Sequence, residues 1–435
     1  MMSDPVFNQK LSILIKGTRV NQKTQDILIE DGKIISIAPN QDKNEAELII
    51  DGTETLALPG LINIHTHAAM SLLRGYADDM HLQEWLSEKI WPLEAHLTGD
   101  DVYIGTKLAC LEMIRSGTTA FNGMYFFMDR VAQAVDEAGI RAQLSHGMIT
   151  FGDPEKFASE QKATKDLVAC VKQMNNPCIT AAVAPHAPYT VPPDHMKWCA
   201  EFSANEDIGL HIHVSETKSE VDSVLEMYGK RPAMLLDECG CLNERTILAH
   251  GCWLDSDECA LIGKRGASVA YSPCSNMKLA TGRALPYDEL KASGANVGLS
   301  TDGCSSNNNL DMFEEMKFAS LFQKSFWNRD TALPAQEVLK MATECGAKAM
   351  RLSSGVLAPH APADIVLVGL AHPSMVPLHN DVSNIVYAAN GGLVETVLCD
   401  GALLMHERTI PGEADVLEKA RATVLNLISC ASSSH

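Results

Sequence analysis

Six side chains that can bind a divalent metal stand at the ends of four short apolar runs. They are His65, His67, His211, His213, His250 and Asp302. Because residues i and i+2 of a strand point to the same face, each HxH pair places two imidazoles side by side. Imidazole and carboxylate groups are common ligands of zinc-type ions. The pattern therefore predicts a divalent metal site.

The runs that end in these side chains belong to a longer series of short apolar segments separated by helical patterns. We interpret eight of them as parallel strands: Leu61–His65, Thr118–Asn122, Arg141–Gly147, Thr180–Pro185, Gly209–Val214, Thr246–His250, Ser268–Ser272 and Asn296–Thr301. Eight strand–helix repeats predict a (β/α)8 barrel of the TIM type. The metal-binding side chains then lie at the carboxyl ends of barrel strands, where such barrels build their active sites.

One intervening helix has clear boundaries in the sequence. Thr98 and Asp101 form a capping-box pattern ahead of a helix predicted over Asp100–Ser116, and Gly117 supplies the stop signal.

Alternating apolar and polar residues at both ends of the chain predict further strands. They occur in LSILIKG, QDILIEDGKIISIAP and AELIIDG near the start, and in DIVLVG, SNIVYAA and VETVLCDGALLM near the end. We expect residues 1–58 and 360–435 to pair into a small β-sandwich beside a barrel of residues 59–359.

Composition excludes several classes of protein. The formal charge of −20 opposes binding to a nucleic-acid backbone. No apolar run approaches the roughly 18 residues of a membrane helix, and the first residues do not resemble a secretory signal. The 13 scattered cysteines contain no CxxC pair. We therefore expect reduced thiols and a cytoplasmic location, with no membrane partner.

The motifs resemble those of a known enzyme family. PGLINIHTHAAMSLLRG, HIHVSET, LAHG and STDG resemble, in order, the strand 1, 5, 6 and 8 signatures of the amidohydrolase superfamily. WPLEAHL, APHAPYT, SPCSNMKLATG and TDGCSSNNNLDMFEEMK are similar to strings of its 5'-methylthioadenosine/S-adenosylhomocysteine deaminases. The resemblance covers essentially the whole chain.

The resemblance implies a ligand set of His65, His67, His213 and Asp302, with His211 outside it. Binuclear relatives bridge two metals through a Lys or Glu on strand 4, and Thr180–Pro185 contains neither. We expect one Zn²⁺ per subunit, although iron, manganese or cobalt would suit the same ligands.

The resemblance also implies acid–base roles. Glu216, three residues after His213, matches the glutamate that carries a proton from the metal-bound water to the ring nitrogen. His250 matches the histidine that stabilises the attacking oxygen, and Asp302 takes part in proton transfer. Attack of a metal-bound hydroxide on C6 of an adenine ring would then release ammonia.

Substrate contacts are implied for two further residues. Glu94 resembles a carboxylate that accepts hydrogen bonds from ribose hydroxyls, and His186 resembles a histidine that contacts the ribose or the base. Trp85, Trp91 and Met124 fit either a pocket wall or the core. Residues 305–309 are expected to open a helix that holds Asp302.

The absence of an arginine from one part of the chain bears on the 5' substituent of the substrate. No arginine lies between Arg141 and Arg231, where relatives that accept S-adenosylhomocysteine place one for the amino-acid carboxylate. Lys156, Lys162 or Lys165 would be weaker substitutes. We therefore expect 5'-methylthioadenosine to be preferred to S-adenosylhomocysteine.

Other functions fit the same motifs less well. A deaminase of free guanine or oxidised guanine, or a triazine hydrolase, would use the same scaffold. A non-catalytic, metal-stabilised scaffold would need neither Glu216 nor His250. We also expect a homo-oligomer that acts on a small purine nucleoside.

Overall fold

A computed structural model describes residues 6–42, 46–80 and 82–433 of the chain. Five strands precede the barrel: β1 (Ile13–Val20), β2 (Lys23–Glu30), β3 (Lys33–Ala38), β4 (Leu48–Asp51) and β5 (Thr55–Pro59). The barrel strands are β6 (Leu61–Thr66), β7 (Thr118–Tyr125), β8 (Arg141–Met148), β9 (Ile179–Pro185), β10 (Gly209–Val214), β11 (Thr246–His250), β12 (Ser268–Tyr271) and β13 (Asn296–Leu299). The last strands are β14 (Ile365–Gly369), β15 (Val394–Cys399) and β16 (Ala402–Met405).

Helices connect and cover these strands. They are α1 (Leu82–Trp85), α2 (Trp91–Glu94), α3 (Gly99–Arg115), α4 (Met128–Ala138), α5 (Pro154–Met174), α6 (Pro193–Glu206), α7 (Lys218–Tyr228), α8 (Pro232–Glu238), α9 (Ser256–Arg265), α10 (Pro273–Lys278), α11 (Tyr287–Ala292), α12 (Met312–Phe326), α13 (Ala335–Met341), α14 (Glu344–Ala349), α15 (Asp381–Tyr387) and α16 (Glu413–Ser433). A π-helical turn, Leu86–Ile90, joins α1 to α2, and short 3₁₀ turns cover Ala68–Leu73, Pro373–Met375 and Gly391–Leu393.

The eight predicted barrel strands are confirmed, with ends that differ by at most three residues. Strands β6 to β13 are hydrogen-bonded in chain order, and all their pairings are parallel. The helix predicted over 100–116 is α3, and its capping box between Thr98 and Asp101 is present.

The first and last barrel strands meet through a side chain. The Asn63 amide donates to Thr301 Oγ1 (2.7 Å), and its carbonyl accepts from the Thr301 backbone N–H (3.1 Å). One residue further, the Asp302 N–H donates to the His65 carbonyl (3.0 Å). This seam therefore sets Asp302 beside His65.

The two chain ends pair with each other, as the sequence predicts. They form one eight-stranded mixed sheet in which β14 lies antiparallel to β5, and β5 lies parallel to β1. Buried isoleucines such as Ile13, Ile27 and Ile365 fill its core. The proposed division at 58/59 and 359/360 stays a prediction, and residues 1–5, 43–45 and 434–435 of those ranges lie outside the described residues.

One predicted C-terminal strand is wrong. SNIVYAA lies in and just after helix α15, because Asn380 caps that helix by accepting a hydrogen bond from the Ser383 N–H (2.9 Å). Ile385 and Val386 are then buried in the barrel's core rather than in the terminal sheet. Helix α16, which the alternation at this end did not predict, packs against α3.

The helices of the described residues include none that is both long and apolar enough to cross a bilayer.

A buried ion cluster joins the barrel to the terminal sheet. Arg141, at the start of β8, donates to both carboxylate oxygens of Asp364 (2.7 and 3.1 Å) and to Asp400 (2.7 Å). The Asp364 side chain is only 1% exposed. Because Asp364 and Asp400 flank strands β14 and β15, this arginine ties the two sheets together.

We predict that Arg141→Leu lowers the free energy of unfolding by about 3–5 kcal/mol, because it leaves the Asp364 carboxylate buried and unpaired. Chemical denaturation at constant zinc concentration measures the change. Lys162→Met, which breaks the exposed Lys162–Asp166 pair, serves as the control and should cost less than about 1 kcal/mol. Equal effects of the two substitutions would contradict this prediction.

Candidate metal and active site

The carboxyl ends of strands β6 and β10, together with the residue that follows Thr301, bring four side chains to one point. Asp302 Oδ1 lies 3.3 Å from Nε2 of His65 and 3.3 Å from Nε2 of His67. His67 Nε2 lies 3.3 Å from His213 Nε2. The predicted ligand set of His65, His67, His213 and Asp302 therefore converges, and we call these four residues the cage.

Hydrogen bonds orient two of the cage imidazoles. His67 Nδ1 donates to the Met124 carbonyl (2.7 Å), and His213 Nδ1 donates to the His186 carbonyl (2.7 Å). A neutral imidazole that carries its proton on Nδ1 presents a lone pair at Nε2. Both rings are thus arranged to bind an ion through Nε2.

The cage fits a tetrahedral zinc-type ion. Ligand atoms about 2.1 Å from such an ion lie about 3.4 Å from one another, close to the 3.3 Å separations of the cage. His65 Nε2 is buried and has no hydrogen-bond partner among the described residues. Burial lowers the pKa of His65 to about 4, which keeps the ring neutral and able to bind a metal.

Two hydroxyl groups hold the cage carboxylate. Ser275 Oγ and Ser306 Oγ each donate to Asp302 Oδ2 at 2.7 Å. These bonds leave Oδ1 directed at the imidazoles. Asp302 also has a left-handed backbone (φ 61°), as does His250 (φ 74°), so the chain turns sharply where it presents each side chain.

Glu216 lines the same cavity as His67, His213 and Asp302 of the cage, and its side chain is 13% exposed. Burial, and secondarily the charge of Asp302, raise the pKa of Glu216 to about 8. Its Oε2 lies 3.8 Å from His250 Nε2. The Glu220 carboxylate accepts hydrogen bonds from the backbone N–H groups of Ser215 and Glu216, both at 2.8 Å, and so fixes the turn that carries Glu216.

The tautomer of His250 follows from its neighbour. Burial lowers the pKa of His250 to about 4, so the ring is neutral. The Asn276 amide donates to Nδ1 (3.0 Å), so the proton of the ring lies on Nε2, on the side of Glu216. His250 is therefore a hydrogen-bond donor toward the cavity.

A cavity of about 820 Å³, including its open mouth, lies above the cage. Its wall contains several large apolar side chains, among them Trp85, Trp91, Met124, Phe126, Ile149 and Leu279. Trp85, Trp91 and Met124 thus line the cavity, and Trp85 and Met124 are at the same time buried in the core. No lysine or arginine belongs to the lining, as far as the described residues extend.

Glu94 and His186 also line the cavity. The Tyr125 hydroxyl donates to Glu94 Oε1 (2.6 Å), which leaves the second carboxylate oxygen available to a ligand. Burial raises the pKa of Glu94. His186 Nδ1 pairs with Thr190 Oγ1 (3.0 Å), and burial lowers the pKa of His186 to about 3.

Sequence reasoning missed several residues of the site. Ser275, Asn276, Tyr125 and Glu220 had no predicted role, although Ser275 and Asn276 stand in the quoted motif SPCSNMKLATG. Glu220 is hidden by its position, because a Glu three residues after Thr217 has the pattern of an ordinary capping box.

The predicted helix opening at residues 305–309 is wrong. These residues form turns, and α12 begins at Met312 because Asp311 caps it by accepting from the Phe313 N–H (2.9 Å). Ser306 nevertheless holds Asp302 from within this turn.

Known proteins resemble this chain along most of its length. The model of the amidohydrolase family matches residues 56–404. A 5'-deoxyadenosine deaminase of Methanospirillum hungatei is 59% identical over 432 residues, which cover 98% of this chain and 96% of that protein. A 5-methylthioadenosine/S-adenosylhomocysteine deaminase of Thermococcus kodakarensis is 44% identical over 401 residues, covering 91% and 94%.

A solved structure of another protein also resembles this chain along most of its length. The crystal structure of an adenosine deaminase from Xanthomonas campestris with bound zinc superposes with a TM-score of 0.90 at 34% identity, and the match covers 96% of this chain and 99% of that one.

We predict that the protein binds one zinc ion per chain and that His67→Ala lowers zinc affinity by about 100-fold or more, because one of four ligands is lost. Competition with a coloured chelator measures the affinity. His195→Ala is the control, since His195 lies outside the cage and bonds to Thr150. Two tightly bound ions per chain, or equal affinities in the two variants, would refute the assignment.

Proposed function

Because the chain belongs to the amidohydrolase family, we propose that this hydrolytic deaminase acts on 5'-modified adenosines whose 5' substituent carries no charge. The observation that carries the proposal is the Glu216 carboxyl group, whose side chain is 13% exposed and lies 3.8 Å from His250 in a cavity whose lining, among the described residues, contains no lysine or arginine. The products are ammonia and the corresponding inosine.

The cage would hold the ion through His65, His67, His213 and Asp302. When bound there, a zinc-type ion acidifies water so that a nucleophile is available near neutral pH. Iron or manganese would suit the same donors.

Glu216 is the proton carrier in this proposal. Hydrolysis adds oxygen to C6 and a proton to ring nitrogen N1, and the amine leaves with a further proton. A carboxyl group with a pKa of about 8 can hold a proton near neutral pH and release it to N1. Glu216 lines the cavity with its Oε2 3.8 Å from His250 Nε2, so a proton that it holds is available to a ring bound there.

His250 stabilises the oxygen that adds to C6. Its Nε2–H points into the cavity because Asn276 occupies Nδ1. A donor held in position before the reaction stabilises developing negative charge without reorganisation. Asp302, with Oδ2 fixed by two serine hydroxyls, takes the first proton of the attacking water and gives it to the departing amine, while the proton of the oxygen added to C6 returns to Glu216.

Glu94 and His186 bind the nucleoside. Glu94 keeps one oxygen free for a ribose hydroxyl while Tyr125 holds the other. His186, in the cavity wall, contacts the ribose or the base. A ribose-directed carboxylate favours nucleosides over the free bases considered as the alternative.

The uncharged 5' substituent is supported by the composition of the cavity wall. Among the described residues, none of Lys156, Lys162 and Lys165 lines the cavity, and all three are exposed on α5. The amino-acid carboxylate of S-adenosylhomocysteine would therefore lack a cationic partner in this cavity. 5'-Methylthioadenosine, the substrate expected from the sequence, and 5'-deoxyadenosine, the substrate in the name of the Methanospirillum hungatei relative, both meet this condition.

We predict that Glu216→Gln lowers kcat for deamination by about 10²–10⁴-fold, because the amide cannot carry the proton. Zinc content should not change. Release of ammonia from 5'-deoxyadenosine under saturating conditions measures kcat, with the exposed Glu201→Gln as the matched control. Retention of more than about a tenth of the activity would exclude this role.

We predict a higher kcat/KM for 5'-deoxyadenosine and 5'-methylthioadenosine than for S-adenosylhomocysteine, by about tenfold or more, because the wall offers the carboxylate no partner. Glu94→Ala should raise KM for the nucleosides by about 10–100-fold through loss of a charge-assisted hydrogen bond. Steady-state kinetics on the three nucleosides and on free adenine and guanine measures both effects. Preference for S-adenosylhomocysteine, or activity confined to free bases, would contradict the proposal.

A further inference from the structure

His211 lies inside the barrel next to the cage without belonging to it. It stands two residues before His213 on β10, and it is completely buried, as is His65. Its Nε2 lies 2.8 Å from His65 Nδ1, and the two rings are nearly perpendicular, at 82°.

The partner of His65 differs in kind from those of the other cage imidazoles. His67 and His213 donate their Nδ1 protons to main-chain carbonyls. His65 Nδ1 instead faces a side chain. Its orientation therefore depends on a residue that a single substitution can replace.

The chemistry of the two rings fixes the direction of their hydrogen bond. His65 Nε2 faces Asp302 and is the atom available to an ion, so its proton lies on Nδ1. His211 Nε2 must then accept, and His211 carries its own proton on Nδ1. That nitrogen is buried and has no hydrogen-bond partner among the described residues, an arrangement that costs folding free energy.

We propose that His211 is a positioning residue, which accepts the Nδ1 proton of His65 and so holds Nε2 of that ligand toward the ion. The unpaired N–H of His211 is the stability cost of this arrangement. The inference rests on the proposed metal site, but its test measures metal affinity rather than deamination. Failure of the inference is thus distinguishable from failure of the proposed substrate.

Three substitutions of His211 distinguish the effect of its hydrogen-bond acceptor from the effect of its side-chain shape. The amide oxygen of His211→Gln reaches the position of Nε2 and can accept from His65. The shorter His211→Asn is equally polar but reaches only the position of Nδ1, and His211→Leu removes the acceptor altogether. His406→Gln, in the terminal sheet region, is the control for the same change far from the cage.

Each full-length variant is loaded with zinc and titrated against a coloured chelator. The visible spectrum of the cobalt-substituted protein reports the ligand geometry, and thermal unfolding of the metal-free protein reports the fold. We expect His211→Asn and His211→Leu to weaken zinc binding by about 10–100-fold, as is typical when the partner of a ligand is lost. His211→Gln and His406→Gln should stay close to the wild type. Metal-free His211→Leu should be about as stable as the wild type, because the unpaired N–H of His211 is removed and His65, without an ion, can carry its proton on Nε2 beside Asp302.

Three results would overturn the proposal. The first is wild-type zinc affinity in both His211→Asn and His211→Leu. The second is an equal loss in His211→Gln and His211→Asn, which would show that ring shape rather than the acceptor matters. The third is a loss of affinity that is matched by a loss of metal-free stability, which would assign His211 to the fold alone.

Discussion

Closure of the barrel between its first and last strands is the constraint on which the site depends. His65 and Asp302 are far apart in the chain, and they meet because Asn63 joins β6 to the Thr301 segment with two hydrogen bonds. The next backbone bond, from Asp302 to His65, sets the register of the two side chains. With this seam in place, β10 needs only to add His213 to complete the cage.

Burial then determines the chemistry that the cage and its neighbours can perform. Burial keeps His65 and His250 neutral, with pKa values of about 4, and it raises the pKa of Glu216 to about 8. The same environment makes each partner essential, because a buried polar group without one is costly. Serine hydroxyls on Asp302 and the amide of Asn276 on His250 meet this requirement.

The barrel and six candidate ligands could be predicted from the order of the strands and the residues at their ends, whereas the choice of four ligands among the six came from the family resemblance. The sequence was insufficient where contacts between distant parts of the chain determine the secondary structure or the partner of a side chain. SNIVYAA has the composition of a strand, yet the cap at Asn380 and burial against the barrel make it a helix. Ser275 and Tyr125 could not be assigned, since their partners Asp302 and Glu94 are distant in the chain. The sequence around a serine or tyrosine does not show which distant group its hydroxyl will bind.

The decisive experiment is to locate the ion in the zinc-loaded protein. Anomalous diffraction at the zinc edge from crystals of the zinc-loaded protein would locate it. We expect a single peak about 2.0–2.2 Å from Nε2 of His65, His67 and His213 and from Oδ1 of Asp302, the normal ligand distances of zinc. A peak coordinated by His211, or a second ion bridged to the first, would contradict it.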